Sequence, residues 1–293
     1  MAVPGHTQWQ SAVARRLDVP PDCLRWREQG GSALNATWRL DAQGGAWFVK
    51  VNRADRLPML EAEAAGLAEL AACGALRVPR PLATGREGVH AFLVLEWLDF
   101  GAGGHDAALG RALAALHRHT APRFGWHRDN TIGTTPQLNA WHDDWAAFFV
   151  ACRLRPQLEW VRERGFLRAA QDAGARLADA VPRLLAGHRP VPSLLHGDLW
   201  SGNAGALATG EPVLFDPAVY YGDREADLAM TELFGGFSAD FHAAYRAAWP
   251  LDAGYERRRP LYNLYHVLNH ANLFGGGYLA QAGRMVDALL AAA

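Results

Sequence analysis

The chain has 293 residues, half of them hydrophobic, and 29 basic against 30 acidic side chains leave a net charge of -1. That length suits one large domain or two lobes around a sizeable core, and the even balance offers no basic surplus to attract nucleic acid or anionic lipid. Residues 1–10 lack a basic segment leading into an apolar run, no stretch approaches the roughly eighteen apolar residues of a membrane span, and Cys23, Cys73 and Cys152 show no paired spacing, so a soluble cytoplasmic protein without a disulfide framework is expected.

In chain order, Gly30-Gly31-Ser32-Ala33-Leu34-Asn35-Ala36 reads as a small-residue turn leading into a strand. Residues 38–40 and 46–51 flank the turn at 41–45, which predicts a hairpin. An Ala-, Leu- and Glu-rich helix is expected over 60–73, ending at Gly74. Pro79-Arg80-Pro81 breaks the chain before strands near 82–84 and 91–95, and Gly101-Ala102-Gly103-Gly104 is flexible enough to separate two lobes. Beyond it helical periods dominate, at 109–117, 141–154, 167–185, 223–235 and 262–273. The expected architecture is α+β, a small β-rich lobe over residues 1–99 followed by a larger, mainly helical lobe over 100–293.

One stretch carries chemistry. His196-Gly197-Asp198-Leu199-Trp200-Ser201-Gly202-Asn203 is followed thirteen residues after its Asn by Asp216 in Val213-Leu214-Phe215-Asp216-Pro217. Phosphoryl transfer needs a carboxylate to take the proton of the attacking hydroxyl, and oxygen ligands that hold Mg²⁺ against the ATP phosphates. On this reading Asp198 is the base, and Asn203 and Asp216 bind the metal. The apolar runs 193–195 and 212–215 flank the loop like two short buried strands, so the bland alternative is a polar turn in an ordinary hairpin. His127-Arg128-Asp129-Asn130 looks similar, but its Asn follows its Asp directly and no apolar strand ending in Asp comes after it, so it reads as a loop near the substrate entrance.

Such a site requires a phosphate-covering loop and a lysine in the first lobe. Gly30, Gly31 and Ser32 supply the loop, where backbone N–H groups approach phosphate oxygens, although a double glycine also makes an ordinary turn. Lys50 lies in the alternating run Trp47-Phe48-Val49-Lys50-Val51, and either Glu61 or Glu63 in the next helix is placed to pair with it. In Leu93-Val94-Leu95-Glu96-Trp97-Leu98, backbone groups of Glu96, Trp97 and Leu98 are expected at the adenine edge.

With these residues placed, the chain resembles the fructosamine kinase (ketosamine-3-kinase) family of the protein-kinase-like fold, whose cousins include aminoglycoside phosphotransferases and choline kinases. The resemblance runs through Phe48-Val49-Lys50-Val51-Asn52, Glu63-Ala64-Ala65-Gly66-Leu67, Arg153-Leu154-Arg155-Pro156-Gln157-Leu158, the 196–203 loop, and 215–218 to 222–230. It implies a bilobal kinase-like fold and transfer of the ATP γ-phosphate, with Mg²⁺, to the 3-hydroxyl of a free or protein-bound ketosamine. It also favours Glu63 over Glu61 as the partner of Lys50. A phosphate at C3 is a good leaving group beside an enolisable centre, so the product decomposes and frees the amine, which is deglycation. The resemblance further implies Trp200 and His270 as substrate neighbours and Asp227 as a brace for the loop. His266 and His270 also stand at metal-pair spacing, without a third ligand. Two other readings stay open: an aminoglycoside- or choline-type phosphotransferase, and a catalytically silent nucleotide-binding module, which usually lacks one of the lysine, base or metal ligands.

Overall fold

A computed structural model describes residues 7–31, 34–101, 106–163 and 171–293. Ser32, Ala33, Ala102, Gly103, Gly104 and the first residues of the helix expected at 167–185 fall outside them. The chain divides into two compact units, Met1–Gly104 with Gly205–Asp216, and His105–Ala204 with Pro217–Ala293.

The first unit opens with helix α1 (Gln8–Leu17), which the sequence reading missed. Its start is fixed by a capping box, Gln10 Oε1 accepting the Thr7 N–H at 2.8 Å. Strands β1 (Arg25–Gly31), β2 (Ala36–Ala42) and β3 (Gly45–Arg53) follow, then helix α2 (Leu57–Ala72), β4 (Pro81–Glu87) and β5 (His90–Glu96). The five strands form one antiparallel sheet in the order β1-β2-β3-β5-β4. The hairpin at 41–45 appears as expected, whereas β1 was not expected, and only its last two residues, Gly30 and Gly31, fall in the segment read as a turn. Helix α2 begins three residues before the expected start because Pro58 is tolerated in a first turn, where its missing N–H goes unused.

Alternation decides what each face of the sheet does. Val49 and Val51 of β3 join Leu40, Phe92 and Val94 in a core that Trp9 and Val13 of α1 cover. Phe48 and Lys50, one residue out of phase, therefore face away from α1.

The second unit begins with α3 (Asp106–His117), the hairpin β6 (Asn130–Ile132) and β7 (Thr135–Gln137), and α4 (Trp145–Phe149). A π-helical turn over Val150–Leu154 leads into α5 (Arg155–Glu163), followed by α6 (Gln171–Leu184) and β8 (Ser193–Leu195). The chain then returns to the first unit through β9 (Ala204–Ala206) and β10 (Pro212–Leu214), before β11 (Tyr220–Gly222) and helices α7 (Arg224–Leu233), α8 (Ala239–Ala248), α9 (Tyr255–Phe274) and α10 (Gly277–Ala292) complete the second. The two apolar runs around the loop do form strands, but not with each other. β8 pairs with β11, and β10 with β9, so the ordinary-hairpin alternative is excluded. Trp141 and Trp145 do not form a helical stripe either, since α4 starts at an Asp144 cap and only Trp145 enters the core.

Candidate active site

In the first unit Lys50 Nζ donates to Glu63 Oε1 at 2.7 Å and to Asp216 Oδ1 at 2.6 Å. Lys50 is 5% exposed and Glu63 13%, whereas the Asp216 carboxylate remains 46% exposed. Burial alone would lower the Lys50 pKa, but the Asp216 and Glu63 charges outweigh it and hold the ammonium well above its usual value. Glu63, not Glu61, is the partner because α2 turns that face toward β3. Asp216 arrives from later in the chain. Its segment is tied down by Leu214 N–H donating to Arg77 O at 3.0 Å and Gly101 N–H to Ala206 O at 2.9 Å. Asp216 itself sits at φ +55°, a left-handed conformation costing a non-glycine residue about 1 kcal/mol.

Lys50 and Asp216 line a cavity of about 440 Å³ together with the apolar side chains of Phe48, Leu95, Trp97, Leu98 and Phe215 and the polar residues Gln29 and Glu96. Gly30 and Thr37 line it as well, joined by Thr37 Oγ1 donating to Gly30 O at 2.5 Å. Gly31 pairs with Ala36 at the end of β1, and Ser32 lies outside the described residues. Of the three adenine-edge residues, Glu96 and Trp97 spend their N–H groups on Arg80 O and Ala46 O. The Glu96 carboxylate is also engaged, by Arg77 Nη2 at 2.6 Å and the Arg80 N–H at 2.5 Å.

In the second unit the 196–203 loop leaves β8 and turns sharply at Gly197, φ +83°, where an added Cβ would stand 2.0 Å from Ala218 O. Only glycine fits there. Asn203 donates its Nδ2 to the Asp198 carbonyl at 2.9 Å and to Asp198 Oδ2 at 3.2 Å, so the Asp198 carboxylate and the Asn203 amide are held together, with the amide oxygen at the other end of the group. Asp227 accepts the His196 N–H at 2.7 Å and the Gly197 N–H at 2.9 Å. Burial opposes its ionisation, yet the hydrogen bond from His117 and these backbone donors keep its pKa below the ordinary value. The neighbouring acids have other duties: Asp223 caps α7 and accepts from Tyr262, while Arg258 takes both oxygens of Glu225.

Trp200 is 42% exposed. His270 is partly buried among the rings of Phe234, Phe274 and Tyr278, and its Nδ1–H donates to His266 O at 2.8 Å. Burial lowers the His270 pKa, which leaves a neutral ring with Nε2 as acceptor. His266 and His270 belong to no metal-holding cluster among the described residues. In the similar-looking string at 127–130, Asp129 accepts the Asn139 N–H and Asn130 donates to Val219 O, which is scaffolding. His117, fully buried, was not singled out from the sequence, and Arg153, also fully buried, was quoted only within the 153–158 string.

A sequence model described as "Fructosamine kinase" matches residues 8–292. The chain belongs to the fructosamine kinase family. This family member is 46% identical over 296 residues to a probable ketoamine kinase of Synechocystis, covering 99% of each chain. It is 42% identical over 262 residues to the Arabidopsis thaliana protein-ribulosamine 3-kinase, chloroplastic, covering 88% of this chain and 80% of that one. Among solved structures, a Haemophilus somnus protein provisionally named a fructosamine-3-kinase superposes with a TM-score of 0.87 at 28% identity, covering 97% of both chains. The fold is therefore that of the family's kinases, a five-stranded sheet unit and a mainly helical unit.

Proposed function

We propose that the protein is an ATP-dependent kinase that phosphorylates the 3-hydroxyl of ketosamines. The observation that carries this reading is the buried ammonium of Lys50, fixed by Glu63 and Asp216 in a largely apolar cavity, in a chain of this family. A cavity of this size and character, with a cation in its wall, suits a purine whose phosphates reach the lysine. The Glu96 carbonyl and Leu98 N–H present an acceptor and a donor to the adenine edge, while Gly30, Gly31 and Ser32 are assigned to the phosphates.

The acceptor chemistry falls to the loop. Asp198 takes the proton of the 3-hydroxyl, and Asn203 fixes the orientation of its carboxylate. Carboxylate and amide oxygens are the hard donors that Mg²⁺ prefers, and Asp216 and Asn203 are the residues we assign to it. When bound, ATP and Mg²⁺ supply the phosphoryl group and the neutralisation of its charge. Trp200 presents a flat indole to the sugar chain, and His270 Nε2 accepts from a substrate hydroxyl or ammonium. In the phosphorylated product, loss of a C1 proton gives the 1,2-enaminol, whose electrons expel the C3 phosphate. Hydrolysis of the resulting imine frees the amine.

The silent-module alternative is disfavoured because Lys50, Glu63, Asp198, Asn203 and Asp216 are all present and mutually engaged within their own units. We assign nucleotide binding to residues 1–99 with Asp216 lent by the later stretch, and acceptor binding to residues 100–293. Among the described residues no helix is long and apolar enough to cross a membrane, and we place the enzyme in the cytoplasm.

The test is ATP consumption with fructosamine, ribulosamine, erythrulosamine, choline and aminoglycosides offered as acceptors. Turnover confined to ketosamines is expected; turnover with choline or aminoglycosides alone sinks the proposal. Asp198→Asn is expected to lower ketosamine turnover about a hundredfold or more with its melting temperature kept.

A further inference from the structure

We propose that Gln137 is a positioning residue for the catalytic loop, clamping Ala218 of the returning chain against the residues that open the loop. The proposal rests on the reading of that loop given above. Gln137 ends β7 and is 1% exposed. Its Nε2 donates to Ala218 O at 2.9 Å and to Asn130 Oδ1 at 2.8 Å, and its Oε1 accepts the Tyr265 hydroxyl of α9 at 2.7 Å. Ala218 in turn donates its N–H to the carbonyl of His196, two residues before the base, at 2.9 Å.

The pairing of β11 with β8 covers Tyr220–Gly222. The carbonyls of Ala218 and Val219 lie just ahead of it and are met by side-chain amides, Gln137 Nε2 on the first and, at 2.8 Å, Asn130 Nδ2 on the second. Buried carbonyls without such donors would be costly to desolvate, so these two amides hold the backbone where the ladder does not. Ala218 O is also the atom that a Cβ on Gly197 would approach to 2.0 Å. Where that oxygen stands therefore sets how closely the loop can turn at Gly197, and Gln137 is the side chain that holds the oxygen.

Every amide in this network has its orientation dictated by a neighbour with a single role. A backbone carbonyl can only accept, so Gln137 turns its nitrogen to Ala218 and Asn130 its nitrogen to Val219. Burial raises the Tyr265 pKa, so the phenol keeps its proton and donates it to the remaining oxygen of Gln137. Asn130 Oδ1 then receives Gln137 and, at 2.9 Å, Asn139 Nδ2. Asn139 Oδ1 receives Arg153 Nη2 at 2.8 Å, and a guanidinium can only donate. Two directed relays, Tyr265 to Gln137 and Arg153 to Asn139 to Asn130, thus end on consecutive carbonyls beside the start of the loop. A glutamine that merely filled space under β7 would need neither this orientation nor these partners.

The experiment measures kcat, KM for ATP, melting temperature and exchange of the Ala218 amide in Gln137→Met, Tyr265→Phe and the double variant of the full chain. Methionine keeps the length of the side chain but has no donor for Ala218 O, and phenylalanine removes only the hydroxyl that orients the Gln137 amide. In the methionine variant kcat should fall about tenfold with KM for ATP within about twofold, and the Ala218 amide should exchange about tenfold faster. Tyr265→Phe alone should move kcat and exchange in the same directions by about threefold, and it carries the test if the methionine variant does not fold. In the double variant the tyrosine change should add less than about 1.5-fold, because it acts through an amide already removed. Ala218 exchange or kcat unchanged in the folded single variants, a loss carried by KM for ATP, or additive losses of kcat in the double variant would overturn the proposal. Wild-type protein that turns over no ketosamine would overturn the kinase reading instead, and the exchange rates would then decide the clamp by themselves.

Discussion

Lys50 is surrounded so closely that its removal strands its partners. Lys50→Met leaves Glu63 buried without a counter-charge, and breaking a pair of this kind costs about 3 kcal/mol. Replacing Glu63 with Gln in the same chain should return much of that stability, because a neutral amide no longer needs the ammonium. Urea unfolding of the two single variants and the double variant measures the coupling, and strictly additive losses would refute it. His266 makes a second prediction. It is buried with Nδ1 unpartnered, and desolvation, helped by the neighbouring His270, depresses its pKa from near 6.5 to about 3. The unfolded chain takes up a proton below about pH 6.5 that the folded chain refuses until about pH 3. This histidine therefore removes stability as pH falls through that window, at up to about 1.4 kcal/mol per pH unit. His266→Phe should flatten the acid limb, so that stability at pH 5 approaches that at pH 7; an acid limb as steep as the wild type's would count against the assignment. At this scale the loop from His196 to Asn203 could be singled out because its residue types and order have few uses besides phosphoryl transfer. The burial of His117 and Arg153 could not be read there, since burial and partners are properties of the folded chain.

Helix packing sets the limits at the next scale. Helix α3 approaches α8 so closely that a Cβ at Gly110 would stand 2.3 Å from Phe241 O. Gly110→Val should therefore pry the two helices apart, costing about 2 kcal/mol or more. A variant with an unchanged melting temperature would show that the contact yields easily. The Arg153–Gln157 string shows why some elements were visible only in outline. A steady 3.6-residue period was expected through 141–154, but the π-turn at Val150–Leu154 inserts an extra residue into the ladder. That turn carries Arg153 inward, over the Tyr220 ring at 3.9 Å and onto the Leu138 and Cys152 carbonyls, while Arg155 stays 63% exposed. Helices α8 and α10 escaped notice for a plainer reason. α8 buries only Phe241 and Tyr245, and α10 only Ala282, Val286 and Leu289, too thin a stripe to stand out in alanine-rich sequence.

For the molecule as a whole, the two-part organisation was readable from the change from strand to helix patterns near residue 100. The return of Gly205–Asp216 to the first unit was not, because a chain that re-enters an earlier unit changes neither composition nor periodicity. Residues 1–104 alone lack that segment, and with it Asp216 and the hydrogen bonds to Arg77 and Gly101. The isolated fragment should unfold without a cooperative transition and bind ATP at least tenfold more weakly than the full chain, because the Asp216 partner of Lys50 and a wall of the cavity are missing. A fragment with a sharp melt and full-length affinity would mean that the first unit is self-sufficient. The same threading orders events during synthesis. Lys50 and Glu63 leave the ribosome long before Asp216, so a nascent chain stalled shortly before Asp216 carries a finished five-stranded sheet whose ammonium still lacks one of its two carboxylates.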